Sequence, residues 1–370
     1  GGHVLLAGVL PTPAAACLVR RYGLDLAAVI SASHNPYTDN GIKFFGPEGV
    51  KLDDAEEARI EAALGARRVA VAGRVRVLHG GEGDYLRELE LRFRDLDLSG
   101  RRVLLDCANG AAHRVAPEIF GRLGAEVEAV AAEPDGRNIN AGCGSTHVDR
   151  LGPLVADGGF DAGFAFDGDA DRVLAVDRRG TVVDGDELIA LAALHLHRAG
   201  RLPGPGVAVT VMTNYGLHQA MAEAGVEVAT TPVGDRHVIA ELLRRGWALG
   251  GEQSGHLIET GFVPTGDGVA AALLTMEAIA GGDLAARDAM RKLPQRLENV
   301  AVDDRDALAG ASGVWAAVER EAERLAGRGR VLIRPSGTES VVRVMVEAPE
   351  PEECEAVLGR VVEAVRRELA

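Results

Sequence analysis

Short runs of Val, Ala, Ile and Leu alternate along this chain with longer stretches of helical period, a pattern that belongs to parallel sheets covered by helices. Leu26–Ser31, Arg102–Asp106, Ala162–Phe166 and Val207–Met212 read as buried strands, and each ends in a polar or glycine-bearing loop. With 370 residues the chain exceeds what one core encloses, so two to four domains are expected. Its 47 glycines suit many tight strand-to-helix turns. Ligands of open α/β sheets gather at the carboxyl ends of strands, so the loops after these runs are where chemistry is to be sought.

Breaks in the pattern divide the chain. Gly80–Asp84 (GGEGD) closes a first segment, Gly200–Gly206 (GRLPGPG) is the clearest linker, and a third break falls near Leu293–Val302. The resulting segments are 1–84, 85–203, 204–297 and 298–370. The last differs from the others. A helix from about Gly313, strands at Gly329–Ile333 and Val341–Glu347, and an amphipathic helix after Pro351 make an α+β unit. No sequence repeat is visible, although the first three segments could share one fold.

Charge and cysteine content exclude several function classes. Forty basic against 55 acidic residues give a net charge of −15, the wrong sign for a nucleic-acid binder. The lysines are only Lys43, Lys51 and Lys292, so arginine supplies almost every cation. Cys17, Cys107, Cys143 and Cys354 lie far apart with no C-x-x-C pair, which favours free thiols in a reducing cytoplasm over disulfides or zinc. Val4–Leu10 is short, lacks a basic leader and runs into Pro11, so it reads as a strand end. No run approaches the roughly 20 apolar residues of a membrane helix.

Four loops carry candidate chemistry. Ser31-Ala-Ser33-His34-Asn35-Pro36 follows the first apolar run, where a serine can be held rigidly. It could equally be a capped turn, but Lys43 stands a few residues on as a phosphate clamp or proton acceptor. Asp167-Gly-Asp169-Ala-Asp171-Arg172 sets three carboxylates at alternate positions, able to converge on a hard cation. An EF-hand loop would need Gly and Glu where Arg172 and Arg178 stand, so Mg2+ is the better candidate than Ca2+. Gly251-Glu252-Gln253-Ser254-Gly255-His256 places an acceptor, a hydroxyl and an imidazole in a glycine-flanked turn suited to sugar hydroxyls. Arg334-Pro-Ser336-Gly337-Thr338-Glu339, with Arg343 on the next strand, has the composition of a phosphate nest or of a polar hairpin. No P-loop and no G-x-S-x-G elbow occurs.

Taken in order and spacing, these four loops resemble those of the α-D-phosphohexomutase family, across essentially the whole chain. The resemblance implies an α/β enzyme with three related α/β domains containing mixed sheets and a smaller C-terminal α+β domain. It makes Ser33-His34-Asn35-Pro36 the phosphoserine loop and Asp167, Asp169 and Asp171 the metal ligands, with Ser33 completing the site. Gly251–His256 becomes the sugar-binding loop and Arg334–Glu339 the phosphate-binding loop. Asn138-Ile-Asn140, Cys143–His147, Val211–Asn214, Val233–Arg236 and Gln253 resemble the branch acting on a phosphorylated hexosamine. The chain starts just upstream of the serine loop, so an N-terminally incomplete first domain is expected. Ser340 and His237 stand where the family usually has proline and tyrosine.

The implied reaction interconverts the 6-phosphate and 1-phosphate of a hexosamine. Phosphorylated Ser33 gives its phosphoryl group to a sugar hydroxyl beside Mg2+, with Lys43 as base and His34 and Arg172 assisting. A hexosamine 1,6-bisphosphate, intermediate and activator, then returns its other phosphate to Ser33. Asp235, Arg236, Glu252, Ser254 and His256 would hold the sugar, and Arg334, Ser336, Gly337, Thr338 and Arg343 the non-reacting phosphate. Rival readings are a phosphomannomutase or phosphoglucomutase, a phosphatase with the same metal and serine, and an inactive phosphosugar-binding remnant. The only partner expected is the phosphosugar, with no nucleic acid and no membrane.

Overall fold

Two stretches of the chain, distant in sequence, fold to one plan. The computed structural model describes residues 2–65, 73–279, 281–336 and 339–370. In the first stretch the strands lie in the spatial order Glu126–Val130, Arg102–Asp106, Ala162–Phe166, Val173–Asp177, Val182–Val183. The first three are parallel, and the last two are added antiparallel. The second sheet runs Glu227–Thr231, Gly206–Thr210, Leu249–Gly251, Leu257–Glu259, Val263–Gly266, again three parallel and two antiparallel. The shared fold that sequence could only allow is therefore present in these two stretches.

The central strands lack a period of two because both faces are covered. Every residue of Ala162–Phe166 is buried, and helix Leu151–Gly158 packs Leu151 and Val155 into a cluster with Leu104, Ala165 and Val176. That helix can lie so close because residue 163 is glycine, where a Cβ would stand 2.4 Å from Val155 Cγ2. The predicted strands Arg102–Asp106 and Ala162–Phe166 match the observed ones, while Val207–Met212 is shifted to Gly206–Thr210.

The first predicted strand departs from expectation. Ala27–Ser31 is neither parallel nor buried; it pairs antiparallel with Gly41–Phe45 and alternates between half-buried and exposed. Ile30 is 73% exposed opposite Ile42. Among the described residues this strand has a partner on one edge only, and its alternating burial shows that one face of this apolar run lies in solvent. Val4–Leu6 pairs separately, in parallel, with Val75–Val77. Phe45 and Ala16 nevertheless form a buried cluster with Val263, joining this segment to the second five-stranded sheet.

The described residues divide into two units, Gly1–Met212 with Val226–Ala289, and Thr213–Gly225 with Met290–Ala370. In the smaller unit a three-stranded antiparallel sheet runs Gln295–Ala301, Val341–Glu347, Arg330–Pro335. Helices Ser312–Leu325 and Pro351–Leu369 bury Val314, Val318, Val357, Val361 and Val365 in one core with Val342, Val344 and Val346. Helix Tyr215–Ala224 belongs to this unit. Its cap, Asn214, donates to the Leu293 carbonyl and accepts from the Leu293 N–H, and the buried Glu347 carboxylate accepts from the Tyr215 N–H. No helix among the described residues is long and apolar enough to cross a membrane.

Candidate active site

All four chemistry-bearing loops connect two antiparallel neighbours, and three of them belong to one unit. The serine loop joins Ala27–Ser31 to Gly41–Phe45, and the acidic loop joins Ala162–Phe166 to Val173–Asp177. The loop with Glu252 joins Leu249–Gly251 to Leu257–Glu259. All three lie in the larger unit.

The acidic loop converges by a turn rather than by strand alternation. The Ala170 N–H donates to the Asp167 carbonyl at 3.0 Å, and Ala170 itself is left-handed with φ of 57°. Asp167, Asp169 and Asp171 are only 0%, 2% and 4% exposed, and each offers an oxygen within 4.8 Å of the others. Three buried carboxylates this close cannot all stay ionised without cations. Lys43 supplies one, its Nζ lying 2.6 Å from Asp169 Oδ2 and 2.5 Å from Asp171 Oδ2. Arg172 Nε lies 3.8 Å from Asp171 Oδ1. Burial, then the charges of Asp171 and Asp169, push the Asp167 carboxyl well above the ordinary range. Burial acts the same way on Asp171, but His256 and Lys43 beside it outweigh that and hold it well below the ordinary range. Burial works against the Lys43 ammonium, yet the two aspartates raise it overall.

The site suits a divalent cation. Asp169 Oδ1 and Asp171 Oδ1 are buried and accept no hydrogen bond, which is costly for carboxylates unless something positive takes those lone pairs. Two cations, Lys43 and Arg172, against three carboxylates still leave negative charge over, and an all-oxygen donor set matches Mg2+.

Ser33 stands against this loop. Its Oγ is 3.3 Å from Asp167 Oδ2 and 3.3 Å from His34 Nδ1. The residue is left-handed, φ 52°, and its N–H donates to Ser31 Oγ at 2.9 Å. Its carbonyl accepts from the Gly168 N–H at 3.1 Å. Gly168 is obligatory there, since a Cβ would sit 2.5 Å from that carbonyl and from Ile139 Cδ1. Burial, reinforced by Arg172, lowers the His34 pKa and favours the neutral ring.

The third loop lies against the first five-stranded sheet. The Gly255 carbonyl accepts from the Val173 N–H and the Gln253 carbonyl from the Gly185 N–H. Glu252 is half-buried, accepting from the Gly234 N–H at 3.0 Å, and Ser254 is exposed. Asp235 is ion-paired to Lys51 at 3.2 Å, and Arg236 pairs with Asp54. Burial raises the Asp235 carboxyl, but His256 and Lys51 outweigh it and lower its pKa. His256 is 2% exposed; the Gly266 N–H donates to Nε2 at 3.1 Å, and Nδ1 faces Asp171 Oδ1 at 3.6 Å. With Nε2 accepting, a neutral ring carries its proton on Nδ1, toward the acid.

The fourth loop belongs to the smaller unit. Arg334 and Arg343 are opposite one another in adjacent strands, and Arg343 Nη2 lies 3.4 Å from Glu339 Oε2, which offsets part of the like-charge repulsion. Ser336 is 4% exposed, and its Oγ accepts from the Glu339 N–H at 3.3 Å. Gly337 and Thr338 lie outside the described residues.

Sequence reasoning assigned no role to three contacts. Thr12 donates its hydroxyl to Asp169 Oδ2 at 2.5 Å, its N–H bonds the Asp169 carbonyl at 2.9 Å, and nothing in Leu-Pro-Thr-Pro announces it. Lys51 has only its rarity as a signal. Asn140 donates to the carbonyls of Ser33 and Asn35, both at 2.8 Å.

Comparison with known proteins places these observations. Family models described as phosphoglucomutase/phosphomannomutase α/β/α domains I, II and III and C-terminal domain match residues 1–68, 84–180, 184–297 and 297–364. A phosphoglucosamine mutase of Moorella thermoacetica is 50% identical over 97% of this chain and 83% of its own length. Another, from Mycolicibacterium smegmatis, is 48% identical over 99% of this chain and 82% of its own. Among solved structures, a phosphoglucomutase/phosphomannomutase family protein of Burkholderia thailandensis superposes with TM-score 0.81 at 22% identity, covering 99% of this chain and 83% of that one. Aspergillus fumigatus N-acetylphosphoglucosamine mutase, solved with GlcNAc-6P and magnesium, gives 0.71 at 20% identity, covering 97% and 93%. At those identities the structures speak for the fold.

Proposed function

Because the chain belongs to the phosphoglucomutase/phosphomannomutase family, we propose that it is an isomerase interconverting glucosamine 6-phosphate and glucosamine 1-phosphate. The sugar assignment follows the relatives that share about half its residues over nearly its whole length. The observation that carries the mechanism is Ser33 Oγ at 3.3 Å from Asp167 Oδ2, on the rim of a buried acidic trio with unpartnered oxygens.

Ser33 is the residue that carries the phosphoryl group. Asp167, Asp169 and Asp171 would hold Mg2+, a choice supported by their convergence and by a structural neighbour that was solved in complex with magnesium. When bound, the cation supplies charge neutralisation on the transferring group and takes from Lys43 the task of balancing the acids. In the first half-reaction a sugar hydroxyl oxygen bonds to the phosphorus as the P–Oγ bond breaks. The hydroxyl proton passes to Lys43, which can take it only after release from Asp169 and Asp171 has let the ammonium give up a proton to solvent, with neutral His34 beside Oγ. The resulting hexosamine 1,6-bisphosphate turns over and donates its other phosphate to Ser33 Oγ. Arg172 faces the acidic loop as a second fixed cation. Glu252 and Ser254, with Asp235 and Arg236 nearby on helix Asp235–Arg245, hold sugar hydroxyls. Arg334, Ser336, Gly337, Thr338 and Arg343 grip the phosphate that is not reacting, a role supported by the cross-strand arginine pair. The working division is four domains, 1–84, 85–203, 204–297 and 298–370, in a cytoplasmic enzyme.

The test is direct. Mass spectrometry of the purified protein is expected to find phosphate on Ser33 after exposure to the bisphosphate, and to find it lost on adding glucosamine phosphate. Ser33→Ala is expected to abolish turnover; a rate near that of the unaltered protein refutes the reading. Release of free phosphate in step with turnover would make it a phosphatase instead. Relative rates on mannose and glucose phosphates test the sugar.

A further inference from the structure

We propose that Asn140 is the positioning residue that holds Ser33 in its reactive conformation, an inference that rests on the phosphoserine reading above. Asn140 is 8% exposed and makes two donations from one side-chain amide, to the carbonyls of Ser33 and Asn35 at 2.8 Å each. An amide nitrogen has two hydrogens, so both are spent on the serine loop. Its own backbone is fixed as well, left-handed at φ 57° with its N–H on the Ala108 carbonyl at 2.9 Å. Asn140 Oδ1 accepts no hydrogen bond although it is buried. The group is thus oriented by what it gives to the serine loop and not by what it receives.

Ser33 needs such a hold. A left-handed serine reverts to the right-handed or extended regions unless its surroundings prevent it. Two donors converge on its carbonyl: the Gly168 N–H from the acidic loop and the Asn140 amide from a separate segment. Ile139, next along the chain, fills the space beside Gly168 Cα. Residues 139 and 140 therefore register the serine loop against the acidic loop. Phosphorylation makes that register harder to keep, because a phosphoserine next to three carboxylates is pushed outward by like charge. The amide of Asn140 opposes that displacement from behind, through the backbone, without touching the phosphoryl group.

Two variants separate position from folding. Asn140→Gly accepts the left-handed backbone and removes the amide, and Asn140→Asp keeps the shape and replaces the donors with acceptors. Both are expected to lower kcat by about 10- to 100-fold, the scale of a misplaced reacting group, with KM for glucosamine 6-phosphate within about twofold of the unaltered protein. Phosphate on Ser33, measured by intact mass, is expected to be lower at steady state and to hydrolyse faster in both. Thermal melting confirms the folded fraction in each assay. Unchanged kcat and unchanged Ser33 phosphate in both folded variants would overturn the proposal. So would a fall in rate that only tracks a loss of folded protein. If Ser33 of the unaltered protein never takes up phosphate, the phosphoserine reading has failed; if it does and the variants match it, only the role of Asn140 has.

Discussion

The two five-stranded sheets share one plan but bury charge differently at the same turn. Asp167–Arg172 and Glu252–His256 both connect the third strand of the sheet to the antiparallel fourth. In the first, three carboxylates are buried almost completely; in the second, Glu252 is half-buried and Ser254 lies in solvent. Burying charge without a partner is ruinous, whereas a polar rim costs little. The first turn is thus committed to a cation even before substrate arrives, and the second is free to meet a ligand that comes and goes. The fold supplies the position, and burial decides what chemistry the position can do.

If that contrast is right, altering the buried turn should be severe and cation-dependent. Asp169→Asn is expected to reduce turnover on the order of 10³-fold, the several kcal/mol a Lewis-acid cation contributes, and to abolish the rise in melting temperature on adding Mg2+. A variant that keeps both would break the comparison. Lys43→Met removes the ammonium that bridges Asp169 and Asp171. Breaking a buried pair from one side costs about 3 kcal/mol, so this variant should melt far below the unaltered protein in chelator. Millimolar Mg2+ should recover most of the loss, and a loss that no divalent ion repairs would place the acids in a purely structural role.

How much of this could be read in the sequence depended on how local the determinants were. Arg102–Asp106 and Ala162–Phe166 were legible because strands covered on both faces are continuous apolar runs. Leu26–Ser31 has the same composition, and nothing local says that Ile30 lies exposed in a two-stranded ladder. The acidic trio was visible because its three residues are neighbours in sequence. The reason they converge was not, since it rests on a left-handed Ala170, a conformation alanine does not advertise. Thr12 and Asn140 reach their partners from 157 and 107 residues away. His256 sits in a loop rich in ligand-like residues, and only packing turns it inward to Asp171. The repeat of the two sheets left no sequence trace, because a shared topology needs only the same order of strands and helices.

The helices that follow the two sheets sharpen the comparison at a smaller scale. Asp184 begins Gly185–Arg198 with a capping box closed by Glu187. Its counterpart Asp267, before Gly268–Ile279, accepts from the Ala270 N–H at 2.9 Å and from the Tyr85 hydroxyl, at 2.9 and 2.7 Å. Burial pushes the Asp267 carboxyl up to about 6, against the pull of those hydrogen bonds. The folded protein therefore holds this proton more tightly than the unfolded chain, whose aspartate titrates near the ordinary 3.8. That contribution to stability is fully present below pH ~4 and is lost as pH rises through ~6, a change of about 3 kcal/mol in all. Asp267→Asn should remove this slope, gaining on the unaltered protein in urea midpoints between pH 4 and pH 6 and running parallel above. Parallel curves throughout would mean that the cap is ionised and solvated like an ordinary one.

The open turn should give the smallest effect, and one confined to the ligand. Glu252 Oε1 accepts from the Gly234 N–H, and glutamine keeps an oxygen that can do the same, so Glu252→Gln should leave the loop and the melting temperature in place. What it loses is the charge that strengthens a hydrogen bond to a sugar hydroxyl, worth about 1.5 kcal/mol. A KM for glucosamine 6-phosphate raised roughly tenfold, with Ser33 phosphorylated as before and Mg2+ stabilisation intact, is the expected result. The isosteric change in a half-buried carboxylate then stays local, where the isosteric change in a buried one does not. Should Glu252→Gln instead weaken Mg2+ stabilisation as strongly as Asp169→Asn, the two turns would be parts of one charge cluster, and the division of labour between the sheets would be wrong.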